Sequence, residues 1–301
     1  MARENQEFIE IPMDYLDLIG LPRLMNLTYG RSDITIGLID GPVDIEHPDL
    51  ESSKIVSLSG RGACAYKDSN ACAHGTFTAG ILNGKRDSKA PGICPGCTLI
   101  LRQIFSEDTQ VNVPRTSPKE LSNAIIECVK AGAKIINMSV GLTKPAIKES
   151  VLVEALDYAL KHRVMIVVSS GNQGIIGDSC LTSHPWVIPV TACDSTGKPM
   201  RTSNFGKSIS MYGLSAPGKS ITSLAPGGKS IRMCGTSVAA PFVTGTIALL
   251  WSLFPEATAA EIKFALRPRR SHTIVPPILN ALAAYKLLVE EKIPTEFKRS
   301  I

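Results

Sequence analysis

No run of about 18 uninterrupted apolar residues occurs in the sequence, so it offers no sequence signal for a membrane-spanning helix. Met1 to Asp17 hold several acidic side chains and no apolar stretch of signal-peptide length. On these two absences the chain is expected to be soluble and cytoplasmic, with no membrane partner. A clustered basic stripe is also missing: 32 basic and 27 acidic residues give a charge of +5 spread along the chain, so no nucleic-acid partner is expected. There is no internal repeat, low-complexity tract or linker, and the Gly- and Pro-rich stretches at 89–96 and 225–229 are short enough to be loops. With 301 residues, 44% of them hydrophobic, a single domain is expected over 1–301, its core at about 30–290 between short terminal extensions. The pattern favours no oligomeric state.

What is present is an alternation of short Val- and Ile-rich runs with helical patterns. Ile34 to Ile39, Thr98 to Ile104, Ile135 to Met138, Val164 to Ser169 and Val187 to Ala192 read as buried strands of a parallel sheet. Ser117-Pro118-Lys119-Glu120 reads as a capping box with proline at the first helical position, followed by an apolar face of Leu121, Ile125, Cys128 and Val129. A second helix is expected from about Lys148 to Arg163, a third following Ser237 through Ala239 to Phe254, and a fourth after the capping box Thr258-Ala259-Ala260-Glu261. The fold class is α/β, a doubly wound sandwich with a central, mostly parallel sheet flanked by helices.

Within this frame sit the parts of a hydrolytic site. Cleaving a peptide at neutral pH needs a nucleophile, a base, a carboxylate to orient the base, and donors for the developing oxyanion. Asp40 closes the apolar strand Thr35-Ile36-Gly37-Leu38-Ile39-Asp40, at a carboxyl strand end where α/β folds build sites. His74 is expected to open a helix in His74-Gly75-Thr76-Phe77, with Gly75 allowing backbone to approach the imidazole. Ser237, in Gly235-Thr236-Ser237-Val238-Ala239-Ala240-Pro241, begins an apolar helix whose N-terminus favours negative charge and leaves amide donors free.

These three segments, in the order Asp, His, Ser, resemble the signature blocks of the subtilisin-like serine proteases, a resemblance that spans roughly Ile34 to Leu288. It implies a subtilisin-like three-layer sandwich, with Asp40, His74 and Ser237 as the catalytic triad. Ser169-Ser170-Gly171-Asn172 resembles the block that carries the family's oxyanion asparagine, so Asn172 and the Ser237 N–H are implied as oxyanion donors. Ile135 to Gly141 resembles the strand that pairs with bound peptide. Ser139, Val140 and Gly141, with Ser170 and Gly171, are therefore implied as substrate-binding residues for a peptide held as an added β-strand. No cofactor is implied for the reaction.

Other chemistry-bearing residues admit blander readings. His47, in His47-Pro48-Asp49, matches a structural element of the family, and His162, His184 and His272 have no partner motif and are expected to be solvated or packed. Cys64, Cys72, Cys94 and Cys97 leave three readings open: disulfides, free thiols, or a structural zinc site, which the irregular spacing disfavours. Cys180 and Cys193 are a candidate second pair. Family members commonly bind calcium through an aspartate that Asp49 matches and a loop after the histidine helix. Here that loop, Gly84 to Lys89, carries Lys85, Arg86 and Lys89, whose charges oppose a divalent ion.

The block Leu38-Ile39-Asp40-Gly41-Pro42-Val43-Asp44, with its cysteine-rich surroundings, is most similar to the proteases that mature ribosomally made cyanobactin peptides. The similarity implies removal of an N-terminal leader from a precursor peptide. Asp40 and His74 are 34 residues apart, too few for the inserted element of the sister macrocyclases, so hydrolysis is favoured over ring closure. A general intracellular subtilisin, a macrocyclase and a catalytically dead peptide-binding module are the alternatives.

Overall fold

The computed structural model describes residues 14–58, 62–107, 116–140, 149–266 and 273–292. Seven strands run through it: β1 Thr35–Asp40, β2 Lys54–Ser57, β3 Thr98–Gln103, β4 Ile135–Met138, β5 Met165–Ser169, β6 Val187–Cys193 and β7 Leu214–Pro217. They form one sheet in the order β2-β3-β1-β4-β5-β6-β7, parallel at every pairing. A separate antiparallel hairpin follows, β8 Ile221–Ala225 with β9 Lys229–Met233. The helices are α1 Asp14–Leu18, α2 Leu21–Leu27, α3 Asn70–Asn83, α4 Pro118–Lys130, α5 Ser150–Lys161, α6 Cys180–Ser183, α7 Lys207–Tyr212, α8 Thr236–Leu253, α9 Ala259–Ala265 and α10 Ala281–Lys292.

The period of two in the strands sorts their side chains between two apolar layers. In β1, Ile36 and Leu38 join the layer packed on α3 and α8, whereas Ile39 joins the layer packed on α4 and α5. In β4, Ile135 faces the first layer, and Ile136 and Met138 face the second. Helices on both faces are the three-layer sandwich expected from the sequence. The register has one consequence for chemistry: Asp40 and Asn137 share parity with Ile36 and Ile135, so both side chains point toward α8.

Strand order reverses around β1, which has β3 on one side and β4 on the other. The crevice outside the carboxyl ends of the strands at such a switch point is where α/β sheets place ligands, and Asp40 is the last residue of β1. α8 is long and apolar enough to cross a membrane, but 89% of its residues are buried inside the fold, which makes it a core helix. Ser237 is its second residue.

Thr258 and Glu261 cap α9 reciprocally, as read, whereas ahead of α4 only half of the expected box forms: Ser117 Oγ accepts from the Glu120 N–H, and the Glu120 carboxylate pairs with Arg102. α8 starts at Thr236, N-capped by Gly235, which puts Ser237 in its first turn as expected. One boundary differs by more than a turn. α3 starts at Asn70, capped by Ser69 Oγ on the Cys72 N–H, so His74 lies one turn inside the helix instead of opening it.

Candidate active site

Asp40, His74 and Ser237 meet at the carboxyl end of the sheet. Asp40 is fully buried. Its Oδ1 accepts from the Gly41 N–H at 2.6 Å and lies 2.7 Å from His74 Nδ1. A carboxylate has no proton to give, so Nδ1 carries the imidazole proton and Nε2 becomes the acceptor. Ser237 Oγ is 3.0 Å from that Nε2, placed to donate. Burial pulls the His74 pKa down, but the charge of Asp40 and its hydrogen bond more than offset this and hold it above the ordinary 6.5.

Local sequence explains the approach of these elements. A Cβ on Gly75 would run into the Gly41 and Pro42 carbonyl oxygens, so α3 rests directly on the chain leaving β1 and keeps His74 beside Asp40. Gly235 has φ of 138°, and a Cβ there would come within 3.0 Å of Asn172 Nδ2. Asn172 Oδ1 accepts from the Thr236 N–H at 2.9 Å, which pins the amide against the start of α8 and leaves its Nδ2 donors available. The Ser237 N–H, in the first helical turn, has no intrahelical carbonyl behind it. Two donors therefore flank Ser237 Oγ, the arrangement an oxyanion there would require.

The remaining predicted binding residues divide. Ser139 and Val140 lie buried just past the end of β4, and Gly141 falls outside the described residues. Ser170 N–H is committed to the Val190 carbonyl, and Gly171 donates to Thr236 Oγ1 while accepting from the Asn204 N–H. Gly171, at φ of 101°, contributes the bend that carries Asn172 toward α8. Sequence reasoning missed Thr236, which binds both Gly171 and Asn172, and missed Asn137 and Thr244. The signal for Asn137 was a fully buried amide in an otherwise apolar strand.

Three other histidines make contacts within the fold. His47 Nδ1 accepts from the Asp49 N–H and its Nε2 donates to the Lys229 carbonyl. His184 pairs with Asp157 at 3.1 Å, and His162 stacks on Tyr158 at the end of α5. His272 lies outside the described residues.

Cys64 and Cys72 form a disulfide, whereas Cys94 and Cys97 are buried free thiols that share a hydrogen bond. The four-cysteine zinc reading therefore fails, since two of its ligands are consumed and the close-set donors are Cys64, Cys72 and Glu107. Cys180 and Cys193 are also free thiols, so the candidate second pair does not form. The disulfide closes two residues before His74. Glu107 caps the same loop, accepting from the Ala65 and Tyr66 amides at 3.0 and 2.9 Å.

The loop after α3 does not fit a calcium ion. Arg86 fills it, donating from Nε to the Gly92 carbonyl at 2.8 Å, from Nη1 to Met25 at 2.5 Å, and from Nη2 to Thr28 and Ile93 at 3.0 and 2.5 Å. The guanidinium also lies 4.6 Å over the Tyr29 ring. The carbonyl oxygens that could have turned toward a metal already hold a cation.

A carboxylate, an imidazole and a serine bonded in series, with an amide donor beside the serine, define the serine-hydrolase class of site. Residues 31–272 match the Subtilase family, and the chain belongs to it. Fervidolysin of Fervidobacterium pennivorans is 30% identical over 87% of this chain, which spans 41% of fervidolysin's length. Among solved structures, the prenylagaramide maturation protease PagA is 32% identical over 89% of this chain and 98% of its own, with a TM-score of 0.79. A mutant of the protease domain of PatA, 31% identical, covers 88% and 98% with a TM-score of 0.80.

Proposed function

We propose that this protein is a serine endopeptidase that removes the N-terminal leader from a ribosomally made precursor peptide. The observation that carries the hydrolytic part is the bonded series Asp40–His74–Ser237 beside Asn172. In this reading His74 Nε2 takes the Ser237 proton as Oγ attacks the scissile carbonyl, then delivers it to the leaving amine. Asp40 holds the tautomer and stabilises the imidazolium. Asn172 Nδ2 and the Ser237 N–H receive the oxyanion. No step calls for a metal, and with Arg86 seated in the loop after α3 the enzyme works without calcium at that position.

The peptide adds as a strand alongside the chain beyond β4, at Ser139 to Gly141. The leader-removing part rests on likeness to the maturation proteases PagA and PatA, over 98% of each solved chain. Hydrolysis rather than ring closure is favoured by the 34-residue spacing of Asp40 and His74 and by an imidazole left 27% exposed to water.

The test is mass spectrometry of a mixed peptide library that includes linear precursor-like peptides, incubated with the wild-type chain and Ser237→Ala in parallel. Cleavage at one narrow motif, absent in the variant, supports the reading. Broad cleavage points instead to a general protease, and ring-closed products to a macrocyclase. Cleavage that persists in Ser237→Ala overturns the assignment of the nucleophile.

A further inference from the structure

α8 contains a proline, Pro241, four residues after Ser237. In an α-helix the carbonyl of residue 237 accepts from the N–H of residue 241, but proline has none, and its ring pushes against that same carbonyl. The Ser237 carbonyl is thus deprived of its helical donor and displaced outward at the residue whose side chain is the nucleophile. The fold supplies a substitute: Ser139 Oγ donates to the Ser237 carbonyl at 3.2 Å.

Ser139 is itself held. Asn137 Nδ2 donates to Ser139 Oγ at 3.0 Å, and Thr244 Oγ1 donates to Asn137 Oδ1 at 2.8 Å. All three side chains are buried, and Asn137 and Thr244 are fully so. The donors run in one direction, from Thr244 through Asn137 and Ser139 to Ser237, so each bond polarises the next. The chain leaves α8 at Thr244, crosses to β4 and returns to α8 one residue past the helix start. It fixes the peptide plane between Ser237 and Val238 against the sheet, and with it the direction of Ser237 Oγ toward His74 Nε2.

From this geometry we infer that Ser139 is a positioning residue for the nucleophile, its hydroxyl replacing the helical hydrogen bond that Pro241 removes, with Asn137 and Thr244 as its supports. The inference rests on Ser237 being the nucleophile. It assigns the Ser139 side chain a task separate from any pairing of its backbone with substrate. It also makes Pro241 and Ser139 interdependent: an N–H restored at position 241 renders the hydroxyl unnecessary.

The experiment uses the full chain and two readouts, the second-order rate of labelling by a fluorophosphonate and kcat and KM on a cleaved peptide. Ser139→Ala is expected to slow labelling and lower kcat about tenfold with KM unchanged, the worth of one hydrogen bond that orients a reacting group. Ser139→Thr, which keeps the hydroxyl, is expected to retain most of the rate. In the Pro241→Ala background, Ser139→Ala is expected to cost less than about twofold, because residue 241 now donates. Thr244→Val, close in shape, is expected to lose about threefold, and that loss should vanish when combined with Ser139→Ala. Equal labelling rates for Ser139→Ala and wild type overturn the inference. So does a full tenfold loss for Ser139→Ala in a folded, active Pro241→Ala background, and so do losses for Thr244→Val and Ser139→Ala that simply multiply. Failure of the wild type to label at Ser237 would instead sink the nucleophile assignment.

Discussion

The two faces of β1 and β4 are built from the same strands and carry opposite chemistry. Toward α8, alternate positions hold Asp40 and Asn137, each fully buried and each hydrogen-bonded to a group on a neighbouring helix. Toward α4, the intervening positions hold Ile39, Ile136 and Met138, packed on Leu121, Ile125 and Cys128. The α4 face gains only from removing apolar area from water. The α8 face gives up some of that gain to seat polar groups that are costly unless paired. Both faces bury apolar side chains, but only the α8 face of these strands also seats polar groups, so substitutions at Asp40 or Asn137 and at Ile136 should leave opposite signatures.

The largest effect is expected at Asp40. Asp40→Asn keeps the shape but favours the wrong imidazole tautomer, and kcat should fall on the order of 10⁴-fold. A stopped-flow or endpoint peptide assay reads it, and a loss under tenfold would break the comparison at its polar end. Next comes the pH dependence. His74 acts as a base only when neutral, and Asp40 raises its pKa above 6.5. kcat/KM should therefore decline as pH falls through a value above 6.5, and a limb below 6.5 would contradict the ion-pairing geometry.

On the apolar face, Ile136→Ala should lower the unfolding free energy by about 2–4 kcal/mol, read by chemical denaturation, while kcat per folded molecule stays within about twofold. A kcat loss there would show that the two faces are coupled. The smallest effect is a contrast in reactivity. Burial pushes the Cys128 thiol up to about 12, whereas Cys234 is exposed. At pH 8 a maleimide should modify Cys234 and leave Cys128 intact, with peptide mapping as the check. Rapid labelling of Cys128 in the folded protein would mean that the α4 layer opens readily.

The same contrast explains what could be read in advance. Apolar runs such as Met165 to Val168 declare a buried strand because burial on both faces needs no partner residue, and the strands, layers and most of the helices follow from such local patterns. The triad was legible for another reason: the segments around Asp40, His74 and Ser237, in that order, resemble the subtilisin-like signature blocks, whose Gly75 and Gly235 allow the close backbone approach seen in the fold. What escaped were relations between distant segments. Nothing near Cys64 says that it pairs with Cys72 rather than with Cys94, and nothing near Cys180 or Cys193 says that each stays a free thiol. The start of α3 was misplaced because a serine five residues before His74 outcompeted the glycine after it as a boundary signal. Asn137 and Thr244 are 107 residues apart, and only the fold joins them.

Arg86 gives the loop after α3 an unusual property. A metal ion in such a loop comes and goes by mass action, so the stability it confers tracks its concentration in the surroundings. A guanidinium tethered to the chain it braces has a local concentration fixed by covalent connection. Its four carbonyl partners, Met25, Thr28, Gly92 and Ile93, tie α2 and its trailing turn to the segment entering β3 whenever the chain is folded. Neither dilution nor a chelator can strip that brace, and the solution outside holds no vote in whether it is present.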